Sequence, residues 1–325
     1  MVMKTKPTTD SSAAVEPAPA VVALKRILVT TDFSEASRQA LPLAVAFARQ
    51  FRATLSLVHV FPTTWPAELS QLGIVLEQER LAAEAGQRLT RFRERELPAN
   101  LPVETVLLKG GPGHEISQFA KYSEVDLILA APHGYSGFKH FWIGSTAERI
   151  VRHAPCPVLV VREQPVPMRF PDDVLCRFRH ILVPTDFSKA SRQALHYAAA
   201  FAGPCASEVA LVHVIEPPPY PEFGYAHIPA KEAALKREVY EKLKEPCQEL
   251  GHAGVKAAPV IRHGSAAHEI AAEAREQSSD LIVIATHGRG AIARALLGST
   301  AERVVRHAPC PVLVVREKGR DFVAT

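Results

Sequence analysis

The chain has 325 residues, of which 47% are hydrophobic, and its 38 Lys and Arg against 34 Asp and Glu give a formal charge of +4. This length and composition favour two globular domains of ordinary size over one. The charges are nearly balanced and the basic residues do not cluster with aromatic ones, which disfavours nucleic acid as a partner.

The cysteines and the apolar runs bear on location. The five cysteines are odd in number and include no CxxC pair, so they disfavour a disulfide framework and a zinc site, and a reducing compartment fits them best. No run approaches the roughly 18 uncharged apolar residues of a membrane helix. The N-terminal residues also lack the apolar segment of a signal peptide. We therefore expect a cytoplasmic protein with no resident metal and no membrane partner.

The first half of the chain alternates short apolar runs with longer helical patterns, which predicts a parallel sheet covered by helices. Strands are expected near residues 26–30, 54–60, 103–108, 126–131 and 157–161. Ser34 is well placed to cap the helix that follows the first strand. Pro155 and Pro157 should end the last helix before the terminal strand.

The second half repeats the first at a fixed offset. Residues 27–34 return as residues 181–188, and 181 minus 27 gives an offset of 154 residues. Over residues 144–163 and 298–317 the two halves are identical at 19 of 20 positions, the exception being Ile150 against Val304. A period this long indicates duplicated domains, each with its own core.

We place the two domains at residues 25–163 and 178–317. The flanking segments are expected to be a disordered tail, a proline-containing linker and a short second tail, over residues 1–24, 164–177 and 318–325 respectively.

Each domain ends in an apolar strand, at residues 157–161 and 311–315, and an uncovered apolar edge promotes aggregation. We therefore expect the two strands to pair, making the domains an internal pseudo-dimer. Association of whole chains into a homodimer stays open.

Polar and small residues follow the first and fourth strands of the first domain, where ligands bind in open parallel sheets. Asp32 follows the first strand and is able to accept hydrogen bonds from a ribose hydroxyl or an adenine amine. Gly134 and Gly144 let a phosphate approach the backbone, and Ser145 stands at a helix N-terminus, which attracts anions. The alternative is that the glycines only form a turn while Ser145 and Asp32 only cap helices.

Four segments of each domain together resemble the universal stress protein family. In the first domain they are Thr-Asp-Phe-Ser at 31–34, Val-His-Val at 58–60, the Gly-x9-Gly-Ser loop, and His-Ala-Pro-Cys-Pro-Val-Leu-Val-Val at 153–161. The resemblance covers nearly all of both domains. It implies two tandem doubly wound α/β domains, each a five-stranded parallel sheet with helices on both faces.

A nucleotide-binding branch of that family carries Gly-x2-Gly-x9-Gly followed by Ser or Thr. Here Ala131 and Ala285 replace the first glycine, and the added methyl would weaken binding or displace the base. The resemblance implies ATP, which Mg²⁺ would accompany, and places Val60 and Val214 in the adenine pockets. The residues expected to bind nucleotide are Thr31, Asp32, Val60, Ala131, His133, Gly134, Gly144, Ser145, Thr146, Thr185, Asp186, Val214, Ala285, His287, Gly288, Arg289, Gly298, Ser299 and Thr300.

Catalytic signatures are missing from the sequence: there is neither a Gly-Lys-Ser/Thr phosphate loop nor a Gly-x-Ser-x-Gly elbow. The resemblance implies an ATP-binding stress-response regulator with an unidentified protein partner, and the missing signatures disfavour an enzyme. Slow ATP hydrolysis and a scaffold with vestigial pockets are the alternatives. His59 and His213 are expected to be core or pocket wall. Because Arg289 and Arg294 lie in its loop, the second domain is expected to bind ATP more tightly.

Overall fold

A computed structural model describes residues 21–62, 72–132, 144–162, 174–217, 229–286, 297–317 and 319–324. The elements of the first half are β1 (Val21–Val22), β2 (Arg26–Thr30), α1 (Glu35–Arg38), α2 (Leu41–Phe51), β3 (Thr54–Phe61), α3 (Leu72–Glu96), β4 (Val103–Lys109), α4 (Pro112–Tyr122), β5 (Leu127–Ala130), α5 (Ser145–His153) and β6 (Val158–Val160). All five strands expected in this half are confirmed.

Apart from two short 3₁₀ turns, the second half repeats this order. Its elements are β7 (His180–Pro184), α6 (Lys189–Ala202), β8 (Glu208–Ile215), α7 (Pro229–His252), β9 (Lys256–His263), α8 (Ala266–Glu276), β10 (Leu281–Ala285), α9 (Ser299–His307), β11 (Val312–Val315) and β12 (Val323–Ala324).

Ten strands form one sheet in the order β4-β3-β2-β5-β6-β11-β10-β7-β8-β9. Neighbours within each half are parallel, and the first long strand of each half lies in its middle. The chain therefore winds outward to one side of that strand and then to the other, which is the doubly wound arrangement. The two tandem five-stranded α/β domains expected from the sequence are confirmed.

The two half-sheets join where β6 pairs with β11 in antiparallel fashion. Leu159 lies opposite Leu313, its own equivalent at the offset of 154 residues, so a local two-fold axis passes through this pair. Every residue of both strands is buried. The expected internal pseudo-dimer is confirmed, and each terminal strand covers the edge of the other. Because the two strands run in opposite directions, the carboxyl ends of the two half-sheets face opposite edges of the sheet.

Helices cover both faces of this sheet. Alternate side chains of each strand enter two hydrophobic cores, as Ile27 and Leu28 illustrate on β2. One core contains residues of α2, α3, α6 and α7, and the other contains residues of α4, α5, α8 and α9. Both cores continue across the β6–β11 seam, and Phe47 of α2 meets its equivalent Phe201 of α6 at a ring distance of 6.2 Å.

The helix after the first strand differs between the halves. Residues 35–51 form two segments, α1 and α2, whereas the equivalent α6 is continuous. Pro42 occupies the first turn of α2, and its counterpart in α6 is His196. Proline has no N–H to donate and crowds the preceding turn, so the helix is interrupted in the first half only.

The structure corrects the expected domain ends. Val21 and Val22 pair with β12, and Phe322 is buried against α6, so parts of both expected tails are ordered. Val174 and Leu175, at the end of the expected linker, are also buried in the core. The composition predicted disorder because these segments are mostly polar or rich in proline. Several apolar residues within them are nevertheless buried in the core.

The cysteines also require a correction. Cys176 and Cys205 form a disulfide between the two 3₁₀ turns, Leu175–Arg177 and Gly203–Cys205. The other three cysteines are buried. Burial raises the pKa of the Cys247 thiol to about 11 and that of Cys310 to about 12, which keeps both in the unreactive thiol form.

We expect reduction of the disulfide to lower the free energy of unfolding by about 2–4 kcal/mol, because the bond closes a loop spanning 29 residues in the unfolded chain. Urea unfolding with and without a reductant measures the difference. The double variant Cys176→Ser with Cys205→Ser should match the reduced protein and show no response to reductant. Equal stability of the oxidised and reduced forms would contradict the expectation.

None of the helices in the described ranges combines the length and the apolar character that a membrane-spanning segment requires. The cytoplasmic location stays a prediction. Within the same ranges, no group of three or more His, Cys, Asp or Glu side chains is arranged to hold a metal ion.

Candidate functional site

Each domain has a cavity at the carboxyl ends of its strands. The first measures about 300 Å³ and the second about 660 Å³, within the range of small-molecule sites. The expected residues that line the first are Thr31, Asp32, Val60, Ala131, Gly144, Ser145 and Thr146. Those that line the second are Thr185, Asp186, Val214, Ala285, Gly298, Ser299 and Thr300. The remaining expected residues lie outside the described part of the chain: His133, Gly134, His287, Gly288 and Arg289.

Asp32 belongs to a tight hydrogen-bonded turn at one side of the first cavity. Its Oδ1 accepts hydrogen bonds from the backbone N–H of Ser34 at 3.0 Å and from the Ser34 hydroxyl at 2.5 Å. Ser34 in turn caps α1 by accepting from the Ser37 N–H at 3.2 Å. The cap expected at Ser34 is confirmed. Asp32 holds the capping residue in place and lines the cavity, but it is not itself the N-cap, so the alternative that Asp32 only caps the helix is wrong.

The residue after this aspartate has a backbone conformation that is uncommon outside glycine. Phe33 has a φ of 67° and its equivalent Phe187 has a φ of 62°. In each domain the preceding threonine hydroxyl accepts a hydrogen bond from the phenylalanine N–H at 3.0 Å. Each domain thus has a left-handed residue directly after the aspartate that lines its cavity, and the threonine hydroxyl holds this conformation in place.

A histidine forms part of each cavity wall. The Nδ1 of His59 lies 2.8 Å from the carbonyl oxygen of Thr31, and the Nδ1 of His213 lies 2.8 Å from that of Thr185. Because a carbonyl oxygen only accepts, Nδ1 carries the proton in both rings. Burial lowers the pKa of His59, which favours its neutral form. The expectation that His59 and His213 are core or pocket wall is confirmed by their position in the cavities.

The lowered pKa of His59 makes stability depend on pH. The unfolded chain binds the His59 proton more readily than the folded chain does, so this contribution is complete above about pH 6.5 and is lost as the pH falls through the folded pKa. We expect a His59→Asn variant, which keeps a donor near the Thr31 carbonyl, to lose less stability than the unmodified chain between pH 7 and pH 5. Urea unfolding across that range measures it. Parallel curves for the two proteins would contradict the expectation.

The opposite side of each cavity is a helix N-terminus. Gly144 and Gly298 are the N-cap residues of α5 and α9, and neither helix has a side-chain cap among the described residues. Ser145 is therefore the first helical residue. The alternative, in which Ser145 only caps α5, is wrong. The first-turn N–H groups of such a helix lack intrahelical partners and, together with the helix dipole, attract anions.

The acidic side chain in the first turn of each of these helices is engaged elsewhere. Glu148 of α5 binds Arg152 at 2.7 Å, and Glu302 of α9 binds Arg306 at 2.7 Å, in both cases one turn further along the helix. These ion pairs compensate the carboxylates, so they leave the helix N-termini with a favourable field for an anion.

Alanine at the first glycine position of the family motif fits the backbone at both sites. Ala285 is the last residue of β10, and Ala131 directly follows β5. Neither is among the described non-glycine residues with a positive φ. The glycine-specific conformation is therefore not needed there, and the substitution adds only a methyl group to each cavity wall.

The second cavity has lining that sequence reasoning missed. Glu216, after β8, and Leu235 and Val239 of α7 contribute to it. The carboxylate of Glu216 accepts the backbone N–H of Ala266 at 3.0 Å and so holds the start of α8 beside the cavity. No local pattern in the sequence signals these residues, because only the packing of α7 and α8 against β8 brings them together.

The fold and its two cavities define a class: a tandem, doubly wound α/β protein with a cavity at the strand ends of each half. The family model described as the universal stress protein family matches residues 23–162 and 177–316. The chain belongs to this family.

Relatives match the chain one domain at a time. The universal stress protein MJ0531 of Methanocaldococcus jannaschii is 35% identical over 143 residues, which is 43% of this chain and 82% of the relative. The universal stress protein YxiE of Bacillus subtilis is 32% identical over 145 residues, 42% of this chain and 98% of the relative. A crystal structure of a universal stress protein from Archaeoglobus fulgidus superposes with a TM-score of 0.61 at 23% identity, covering 90% of this chain and 98% of that one. This likeness shows the fold of the whole tandem unit.

Proposed function

We propose that each domain binds one adenine nucleotide, with ATP as the expected ligand, and that the chain acts as a stress-response regulator. The observation that carries this proposal is the pairing, in each cavity, of an aspartate on one side with a helix N-terminus on the other that has no side-chain cap among the described residues. A nucleotide has matching ends, since its ribose and base offer hydrogen-bond donors and its phosphates are anionic.

The helix side suits the phosphates. The backbone N–H groups that begin α5 and α9 are donors of fixed orientation, and the hydroxyls of Ser145 and Thr146, or of Ser299 and Thr300, lie beside them. Mg²⁺ would enter with the phosphates, and its charge would be balanced by them.

The strand side suits the nucleoside. Asp32 and Asp186 are half-buried carboxylates at the ends of β2 and β7, where they are able to accept ribose or adenine hydrogen bonds. Val60 and Val214 add apolar wall for the base. A carboxylate that faces a donor in a partly desolvated cavity forms a stronger hydrogen bond, and so contributes more binding free energy, than a neutral acceptor does.

Nucleotide released from the purified protein tests the proposal directly. The protein is denatured, the soluble fraction is separated by chromatography, and adenine nucleotide is quantified per chain. Between one and two equivalents, or binding of added ATP to the emptied protein by calorimetry, would support the proposal. Failure of both measurements would leave the scaffold with vestigial pockets as the function.

The regulatory function is distinguished from catalysis by turnover. We propose that bound ATP is not a dedicated substrate, so phosphate release over hours should not exceed the background of ATP in the same buffer. Sustained release that disappears when the cavity residues are replaced would instead support slow hydrolysis.

The double variant Asp32→Asn with Asp186→Asn is expected to bind ATP roughly 10-fold to 100-fold more weakly, since hydrogen bonds to charged groups contribute about 1.5–3 kcal/mol. The asparagine carbonyl still accepts from Ser34 and Ser188, which preserves the turns at both cavities. Calorimetric titration with ATP and with inorganic triphosphate measures the change. Loss of ATP affinity with unchanged triphosphate affinity is expected, and the reverse pattern would contradict the assigned orientation.

A further inference from the structure

Two arginines cross the seam between the domains in a reciprocal pattern. Arg162 follows β6 of the first domain, and its Nη2 donates to the carbonyl oxygen of Val305 at 3.1 Å and to that of Arg306, in the last turn of α9. Arg316 is the equivalent residue after β11. Its Nη2 donates to the carbonyl oxygens of Val151, at 3.4 Å, and Arg152, in the last turn of α5.

The contacts are favourable because of what lies at a helix C-terminus. The last carbonyl groups of a helix lack intrahelical donors and carry a partial negative charge, which a guanidinium group satisfies. Both arginine side chains are half-buried, and burial lowers the pKa of each. The helix carbonyls therefore compensate part of the desolvation of these charges.

The same two helices begin at the cavities. Residues 144–147, from the N-cap of α5 into its first turn, line the first cavity, and residues 298–301 of α9 line the second. Each helix has nine residues, so its two ends are only about 13 Å apart. A helix this short moves as one body, and a contact at its C-terminus restrains the direction in which its N-terminal N–H groups point.

We propose that each domain positions the anion-binding helix of the other: Arg162 places α9 for the second cavity, and Arg316 places α5 for the first. This inference rests on the proposed nucleotide sites. Both arginines act as positioning residues, since neither is among the residues that line a cavity. The two sites are thus each completed by a residue from the opposite half of the chain.

The test measures ATP binding at one cavity at a time in the full-length chain. Ser145→Glu should close the first cavity to phosphate and Ser299→Glu the second, because each places a carboxylate where the phosphates are expected. Into each of these backgrounds Arg162→Met, Arg316→Met or the matched control Arg303→Met is introduced. Arg303 is an exposed arginine of α9, so its replacement removes the same charge without removing a contact across the seam.

The expected result is a crossed pattern. Arg162→Met should weaken ATP binding roughly fivefold to tenfold at the second cavity and leave the first unchanged, whereas Arg316→Met should do the opposite. Arg162→Lys, which keeps a charged donor, should recover most of the loss, and Arg303→Met should change neither site. Equal weakening of both cavities, weakening of the arginine's own cavity alone, or no change would overturn the proposal.

Amide hydrogen exchange without nucleotide provides a second readout. In Arg162→Met, exchange should accelerate in residues 299–307 and not in residues 145–153, and Arg316→Met should show the reverse. If the unmodified chain binds no adenine nucleotide, the proposed function fails, and this exchange pattern alone decides whether each arginine holds the helix of the other domain. Uniform acceleration in both helices, or none, would overturn the positioning role.

Discussion

Replacing both Ser145 and Ser299 with glutamate should abolish measurable ATP binding while leaving the protein at least as stable as before. Each new carboxylate stands where the phosphates are expected, and repulsion between like charges a few ångströms apart weakens binding roughly 100-fold or more. A carboxylate in the first helical turn instead favours the helix by about 0.3–1 kcal/mol. Both serines are exposed, so the larger side chain meets no buried surface.

Calorimetric titration and thermal unfolding together measure the two parts of this expectation. The matched control is Ser145→Ala with Ser299→Ala, which removes the hydroxyls without adding charge and should weaken binding by less than about tenfold. Unchanged ATP affinity in the double glutamate variant would show that α5 and α9 do not bind the phosphates.

The single glutamate variants compare the cavities. With the first closed, the second should bind ATP more tightly than the first does with the second closed, in line with its larger volume and additional lining. Tighter binding by the first cavity would contradict this difference.

Truncating the central pair of the seam should produce the largest loss of stability. Leu159 and Leu313 face each other in the β6–β11 pair and have no exposed surface. Each Leu→Ala change in a packed core lowers the free energy of unfolding by about 2–5 kcal/mol. The double variant removes both halves of one contact, and its loss is comparable to the total stability of many domains, about 5–15 kcal/mol.

Urea unfolding of the two single variants and the double variant measures the effect and tests the two-fold relation at once. The singles should agree within about 0.5 kcal/mol, because each residue occupies the other's environment, and the pair should be non-additive. Leu81→Ala in α3, where the side chain is 38% exposed, is the control and should lose much less. Losses no greater than the control would show that the seam contributes little to folding.

Much of this architecture was accessible from local patterns. The strands of each half follow from short apolar runs, and the β6–β11 seam follows from two identical apolar strands that each needed a cover. Ser34 is recognisable as a cap because its position before a helical stripe is a local property. The expected cavity residues that follow β2 and β5, or β7 and β10, were accessible as well, since the carboxyl ends of these strands meet at one point of the sheet. Val60 and Val214 were implied only by the family resemblance.

The features that escaped prediction depend on contacts between distant segments. Cys176 and Cys205 become neighbours only when the segment before β7 packs against the end of α6. Glu216 lines the second cavity and accepts a hydrogen bond from the start of α8. No residue near Glu216 in the sequence signals that contact. The contacts of Arg162 and Arg316 escaped prediction for a different reason. A single basic residue after an apolar strand is usually interpreted as a solvent-exposed strand end, and the carbonyl partners of these two arginines belong to the other domain.

Joining both seam strands in one polypeptide has a further consequence. Two separate subunits would part on dilution, whereas strands tethered in one chain meet at an effective concentration set by the connecting segment, so their pairing does not depend on protein concentration. Tethering also removes the requirement that both sides be alike. A homodimer built from one sequence must present two identical cavities, but this chain holds cavities of about 300 Å³ and about 660 Å³ on a single shared sheet. A substitution in either half can therefore retune one cavity while the other is left intact.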